Sequence, residues 1–459
     1  MQNRTEYDSL GEIDVPAEAL YGIHTQRATE NFYLCGNPVR IDLIKAIAQV
    51  KKACALTHKQ LDNIAEDKAD AMDAACDEII DGKHNDAFIT DALQGGAGTS
   101  TNMNVNEVIA NIASIKLEGE PGTASLVSPL DDVNRGQSTN DVYPTALRIA
   151  AIYMVRALAD ELAKLQDSLQ KKEQEFAGVL KLGRTQMMDA APITLGSTFG
   201  SYAQAIARDR WRIYKVEERL RQINLGGTAI GTGAAADRKY TYRVAEVLRE
   251  ITGLGLARAE YPMDLTQNND VFVETSGLLK ACAVNLLKIS GDLRLLNSGP
   301  NGGFGEITLE ARQVGSSIMP GKVNPVIPEA VALCAMKTIA NDSAITLAAA
   351  NGQLELNAFL PLIADSLLDS LTILRNAVST LRTKCIDTVQ ANRERCLQNL
   401  NASTAPALAL VPHIGYDAAA EIAKEALESN LSVFHVAKKQ NVLPEDKLKE
   451  ILQHAGTYQ

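Results

Sequence analysis

Residues 141–178 read DVYPTALRIAAIYMVRALADELAKLQDSLQKKEQEFAG, and the fold class follows from this stretch. After Pro144 neither proline nor glycine appears until Gly178. Within it Val155, Leu158, Leu162, Leu165, Leu169 and Phe176 recur at steps of three, four and seven residues. That spacing is the seam of one long helix packed in a bundle. At 1.5 Å per residue, about thirty residues extend roughly 45 Å, longer than an ordinary globular helix.

Similar stretches follow at about 197–224, 270–297, 328–350 and 357–390. Five long helices predict a mainly α protein with an elongated bundle at its centre. In one of them Leu278, Leu279, Cys282, Ala283, Leu286, Leu287 and Ile289 cover much of the surface. A helix that is apolar nearly all round must be buried, and in so narrow a bundle the second face is expected to pack on another subunit. Residues 1–140 read as a mixed, mostly helical domain, with helical patterns at 43–61 and 65–80 and a glycine cluster at Gly95-Gly96-Ala97-Gly98-Thr99. Residues 141–390 form the expected bundle domain. Residues 391–459 read as a small helical domain with loops around Pro406 and Pro412.

Composition narrows the function classes. The chain has 459 residues, 46% hydrophobic and 22% charged, with only 5% aromatic, the profile of a packed globular protein. Its formal charge of -11 opposes nucleic acid and anionic membranes as partners. The first residues, MQNRTEYDSL, lack the apolar core of a signal peptide, and no unbroken run of about 18 apolar residues occurs. Seven cysteines are scattered and never spaced as CxxC; most of them are expected to be small core residues, and the cytoplasm is the expected location. Six histidines (24, 58, 84, 413, 435 and 454) show no metal-ligand spacing, so no catalytic metal is expected. His58, His84, His435 and His454 sit among polar residues and are expected to face solvent. Activation by a divalent cation stays open.

The densest chemistry lies at Gly315-Ser316-Ser317-Ile318-Met319-Pro320-Gly321-Lys322-Val323-Asn324-Pro325. Two glycines, two prolines, hydroxyls and one cation suit a lid closing over an anion, and equally a turn-rich helix connection. It is not a phosphate-binding P-loop, because Val323 follows Lys322 and the upstream glycine spacing is missing.

This segment resembles the signature loop of the fumarase/aspartase superfamily, in the form its fumarase and aspartase branch carries. Gly98-Thr99-Ser100-Thr101-Asn102-Met103-Asn104, Gln137-Ser138-Thr139-Asn140-Asp141 and Gly183-Arg184-Thr185-Gln186-Met187-Met188-Asp189 resemble its other conserved segments, in the expected order. Val15-Pro16, 21–25 and Ile414-Gly415-Tyr416-Asp417 also fit, so the resemblance covers essentially the whole chain. It implies a three-domain subunit whose central bundle forms a homotetramer, with each site built from three subunits.

The implied reaction takes a proton from the carbon beside one carboxylate and expels a group from the next carbon, through an aci-carboxylate. Such chemistry needs donors aimed at the carboxylate oxygens and a base against the carbon. By resemblance, Ser316 is the base. Thr99, Ser138, Thr139 and Ser317 offer hydroxyls to one carboxylate, while Thr185, Lys322 and Asn324 suit the other. Asn140 and Gln186 are candidates for contacting an amino group; for Asp141 a helix N-cap is the preferred reading. Fumarases carry histidine where Gln186 stands and usually Ser-Ser-Asn where this chain has Ser138-Thr139-Asn140. A protonated amine leaves as neutral ammonia and needs no proton donor, so glutamine, which can only hydrogen-bond, suits ammonia loss. Some aspartases carry histidine there too, and Gly321 and the 414–417 segment are shared with fumarases. The expected substrate is L-aspartate, giving fumarate, with malate hydration as the alternative. An inactive lyase-fold scaffold would have no use for Ser316, Lys322, Asn324 and Thr185 together.

Overall fold

The computed structural model describes residues 2–122 and 124–454, the side chain of His454 excepted. The chain opens on an antiparallel hairpin, β1 (Asn3–Asp8) and β2 (Gly11–Pro16). Helices α1 (Ile23–Asn31), α2 (Ile41–Gln60), α3 (Glu66–Ile80) and α4 (Thr99–Lys116) follow. The periodic stretch forms α5 (Thr139–Glu175), a single helix of 37 residues. A second hairpin, β3 (Leu180–Thr185) with β4 (Met188–Thr194), leads to α6 (Leu195–Leu220). Short strands β5 (Gln222–Ile223) and β6 (Ala257–Arg258) pair around α7 (Arg238–Thr252), before α8 (Pro262–Gln267) and α9 (Asp270–Leu296). Next come β7 (Ile307–Thr308), α10 (Val326–Ala350) and α11 (Leu360–Leu381), with β8 (Gln390–Ala391) pairing back onto β7. The last helices are α12 (Arg393–Asn401), α13 (Ala407–Ile414), α14 (Tyr416–Ser429), α15 (Val433–Lys439) and α16 (Glu445–His454).

The five expected long helices are α5, α6, α9, α10 and α11, and the protein is mainly α with only two-stranded sheets among the described residues. All six seam residues of α5, from Val155 to Phe176, are buried. This helix is apolar and long enough to cross a membrane, but 78% of its apolar stretch is covered by the protein itself. A search for unbroken apolar runs passes over it because charged residues interrupt the stretch. Burial here reflects a core helix, not a lipid-facing one.

The chain divides into two compact units. Unit 1 comprises Met1–Leu158, Arg212–Lys280 and Lys337–Ile373. Its core includes α2 packed on α3 and α7, with Leu43, Ile44, Ile47, Tyr143 and Tyr240 buried. Unit 2 comprises Ala159–Trp211, Ala281–Met336 and Leu374–Gln459. There Leu410, Ile422, Val433, Val436 and Leu448 close a small core among α13, α14, α15 and α16.

Two expectations need correction. Pro412 lies inside α13 instead of in a loop, while Pro406 caps that helix. His58 is buried, not solvent-facing, because it falls on the apolar face of α2 and stacks on Tyr240 with ring centroids 4.3 Å apart. Its Nε2 lies 2.9 Å from the Arg135 carbonyl and Asn63 Nδ2 lies 3.4 Å from its Nδ1, the pattern of a neutral ring donating from Nε2. Burial accordingly lowers its pKa. His84 is half-buried against Glu78, and His435 is exposed. The His454 side chain lies outside the described residues. Cys54, Cys76, Cys282, Cys385 and Cys396 are buried, as small core residues would be.

Candidate active site

The sequence-selected residues fall into two groups. Unit 1 holds Thr99, Ser138, Thr139 and Asn140; unit 2 holds Thr185, Gln186, Ser316, Ser317, Lys322 and Asn324.

In unit 1 the glycine cluster delivers the start of α4 to the start of α5. Gly98 adopts φ +94°, and a Cβ there would lie 2.4 Å from Tyr143 Cδ2. Only glycine allows this approach. Thr99 follows at the first residue of α4, exposed, with its Oγ1 donating to the Gly96 carbonyl at 2.8 Å. Ser138 caps α5, its Oγ accepting from the Asn140 amide at 3.2 Å.

Asp141 is therefore not the cap itself but the reciprocal partner three residues on. Its Oδ1 accepts from the Ser138 amide at 2.9 Å, completing a capping box. Its Oδ2 accepts from the Gly226 and Thr228 amides at 3.0 and 2.9 Å. Burial pushes this carboxyl up to about 6 despite the three amides. Asn140 donates from Nδ2 to the Ala229 carbonyl at 2.8 Å, and its own carbonyl accepts from Asn224 Nδ2 at 3.0 Å. The 226–229 loop thus locks the cap in place. Glu107, buried on α4, does the same for α1, accepting from the amides of Gly22, His24 and Thr25.

In unit 2 Thr185 and Gln186 stand at the exposed tip of the β3–β4 hairpin. Thr185 pairs with Met188, so Gln186 and Met187 are the two turn residues, at φ +53° and +66°. Two left-handed central residues make a type I′ turn, for which Asn-Gly is the preferred pair. Gln-Met occupies it under strain, a feature that gathers at functional sites.

The strand below is held by a buried ionic cluster that single residues of the sequence do not announce. Glu306, fully buried, accepts from Arg184 at 2.9 Å and from Asn399 Nδ2 at 3.2 Å. Lys181 Nζ faces its other oxygen at 3.1 Å while donating to the Leu182 carbonyl at 2.7 Å. Arg184 also stacks over Phe304, 4.0 Å from the ring centre. These contacts fix β3 on both sides of the irregular register between Leu182 and Arg184.

The 315–325 loop is closed on itself. Asn324 Nδ2 donates to the Gly315 carbonyl at 2.6 Å, and a Cβ on Gly315 would lie 2.1 Å from the Lys322 carbonyl oxygen. At its turn, Ser316 Oγ accepts from the Ile318 and Met319 amides at 3.2 and 2.9 Å. Ser317 and Lys322 are exposed, and among the described residues Lys322 has no carboxylate partner. Asn324 is half-buried at the loop's base, so its amide is engaged by backbone. Among the described residues no hydrogen bond joins this loop to the hairpin tip. None of the described His, Cys, Asp or Glu side chains forms a group of three able to hold a metal.

Hydroxyl donors at the starts of α4 and α5 and a serine oxygen met by two backbone amides are groups that can bind carboxylates and hold an alkoxide. The chain belongs to the fumarase/aspartase superfamily of lyases, its residues 11–339 matching the family described as Lyase and residues 408–455 the one described as Fumarase C C-terminus. Among relatives, it is 46% identical to an aspartate ammonia-lyase of Helicobacter pylori, over 98% of this chain and 97% of that one. A crystal structure of a fumarate lyase:delta crystallin from Brucella melitensis superposes with a TM-score of 0.95 at 46% identity, covering 98% of each chain. A class II fumarase from Schistosoma mansoni superposes with a TM-score of 0.92 at 33% identity, covering 99% of each.

Proposed function

We propose that this protein is an aspartate ammonia-lyase, converting L-aspartate reversibly to fumarate and ammonia. The near-full-length likeness to aspartate ammonia-lyases supports the substrate. The observation that carries the mechanism is the pair of amides on Ser316 Oγ. Hydrogen bonds to a charged oxygen are stronger than the same bonds to a neutral hydroxyl, so the two amides favour the alkoxide over the hydroxyl there. The exposed Lys322 ammonium adds positive charge in the same loop.

The alkoxide of Ser316 takes the proton from the carbon beside the side-chain carboxylate and becomes a hydroxyl. The electron pair moves into that carboxylate, whose extra charge the hydroxyls of Thr99, Ser138, Thr139 and Ser317 receive. The pair then returns to form the double bond as the C–N bond breaks, and ammonia leaves with the bonding electrons. Thr185, Lys322 and Asn324 hold the other carboxylate, and Gln186 and Asn140 face the amino group. Each step uses this chain's own groups, so the reading requires no cofactor.

We further infer a homotetramer with each site shared among three subunits. On α10, Leu333, Met336, Ala340, Ser343 and Leu347 recur at steps of three and four, all exposed. A stripe of apolar and small residues at that spacing is what a second helix packs against. A small dicarboxylate is then the substrate, and the cytoplasm the setting.

Ammonia release from L-aspartate, followed beside fumarate absorbance with malate as sole substrate, tests the assignment. Turnover of malate without turnover of aspartate would reverse it. Ser316→Ala is expected to lower kcat by about a hundredfold or more, and full activity in that variant removes Ser316 as the base.

A further inference from the structure

We propose that Lys51 is a positioning residue, fixing the 134–140 segment against the first turns of α4 so that Ser138 and Thr139 stand beside Thr99. The inference rests on reading those three hydroxyls as carboxylate donors.

Lys51 projects from the apolar face of α2 and is 1% exposed. Its Nζ donates to Asn134 Oδ1 at 3.0 Å and to Gln137 Oε1 at 2.8 Å. Asn134 Oδ1 also accepts from Asn102 and Asn106 Nδ2 of α4, each at 3.2 Å. One oxygen atom therefore ties together α2, α4 and the segment that ends in Ser138. Two turns along α2, His58 grips the same segment through the Arg135 carbonyl. Gly136, at φ +67°, lets it pass, since a Cβ there would lie 3.2 Å from Tyr240 and 3.3 Å from His58.

Both acceptors of Lys51 are neutral amides. A buried ammonium without a carboxylate partner costs several kcal/mol, which an apolar side chain at this position would avoid. A neutral donor could make the same two ties without that cost, so the charge itself needs a use, and binding a dianion supplies one. In a chain of formal charge -11, a buried cation bonded to Gln137, next to Ser138 in the chain, supplies local positive potential. The titratable groups facing it are Cys54 on its own helix, Cys76 on α3 and Asp141 on α5. Burial pushes both thiols well up, Cys54 to about 12, so they stay protonated and Asp141 is the charged neighbour. Burial also brings Lys51 down to about 8, so its charge is lost in mildly alkaline solution.

The test uses the whole enzyme and succinate, a four-carbon diacid without an amino group, as competitive probe. KM and kcat for aspartate and Ki for succinate are measured in wild type and Lys51→Met from about pH 6.5 to 9.5. In wild type the succinate Ki is expected to rise as pH passes about 8. In Lys51→Met, succinate binding should be weaker by about tenfold at neutral pH, equivalent to about 1.4 kcal/mol, and the alkaline rise should vanish. KM should rise by a similar factor, with kcat changed less. A folded Lys51→Met enzyme whose Ki stays within about twofold of wild type, or keeps its alkaline rise, overturns the proposal. Should that variant not fold, Gln137→Leu removes one of the two acceptors; an unchanged Ki there overturns it equally. Wild type that releases no ammonia from aspartate defeats the proposed function, whereas active wild type with indifferent variants defeats only the role of Lys51.

Discussion

Substituting Gly98 by alanine tests how the two halves of the unit 1 site are joined. The new Cβ would sit 2.4 and 2.5 Å from Cδ2 and Cε2 of Tyr143, whose ring is 1% exposed and cannot swing into solvent. Two costs add. Left-handed backbone for an L-residue costs about 1–2 kcal/mol, and forcing extra volume into a packed core costs about 1–3 kcal/mol. Gly98→Ala should therefore lose about 2–5 kcal/mol. Gly253 provides the control: it caps α7 at φ +63° with nothing within 4 Å of an added methyl, so Gly253→Ala should lose only the backbone cost, about 1–2 kcal/mol. Urea denaturation of both variants measures the difference, and KM for aspartate should rise in the first alone, because Thr99 follows Gly98. If the two variants lose equal stability, the contact with Tyr143 does not set this junction.

Three further outcomes are expected. Glu306→Gln leaves Lys181 and Arg184 as buried charges and should destabilise by about 3–5 kcal/mol in urea denaturation; a loss below about 1 kcal/mol contradicts the ionic account of β3. His58 has its folded pKa lowered below the ordinary 6.5, so the folded state binds fewer protons, and its contribution is present above 6.5 and lost as pH falls from there through the lowered folded value. Wild type should lose stability on acidification in that window, and His58→Gln should lose less; equal slopes refute the assignment. Met187→Gly relieves one left-handed residue of the hairpin turn and should stabilise by about 0.5–1 kcal/mol, read from the thermal midpoint; a lower midpoint counts against the turn strain.

The long helices are legible because three- and four-residue spacing survives in the sequence, as the seam from Val155 to Phe176 shows. The 315–325 loop is legible as chemistry through its composition, yet the two amides on Ser316 are a matter of backbone geometry that no residue type announces. Asp141 reads as a cap when it is the residue that secures one, since a cap and its reciprocal partner share the same letters. Lys51 and His58 do leave a trace. Ile44, Ile47, Lys51, Cys54 and His58 lie at helical spacing, so two polar residues interrupt an apolar stripe. Judged by neighbours along the chain instead of around the helix, His58 looks solvent-facing. Glu306 leaves none, because its partners come from β3 and α12, far away in sequence.

The left-handed backbone at Gln186 also bounds what redesign or natural drift can do there. Branched side chains such as valine, isoleucine and threonine fit that conformation badly, while asparagine, aspartate and histidine tolerate it best. A search for altered leaving-group preference at this position therefore has a small alphabet, and most of it is polar. Diversity is better sought by rebuilding the turn first, with glycine at its second residue, and only then varying the side chain at position 186.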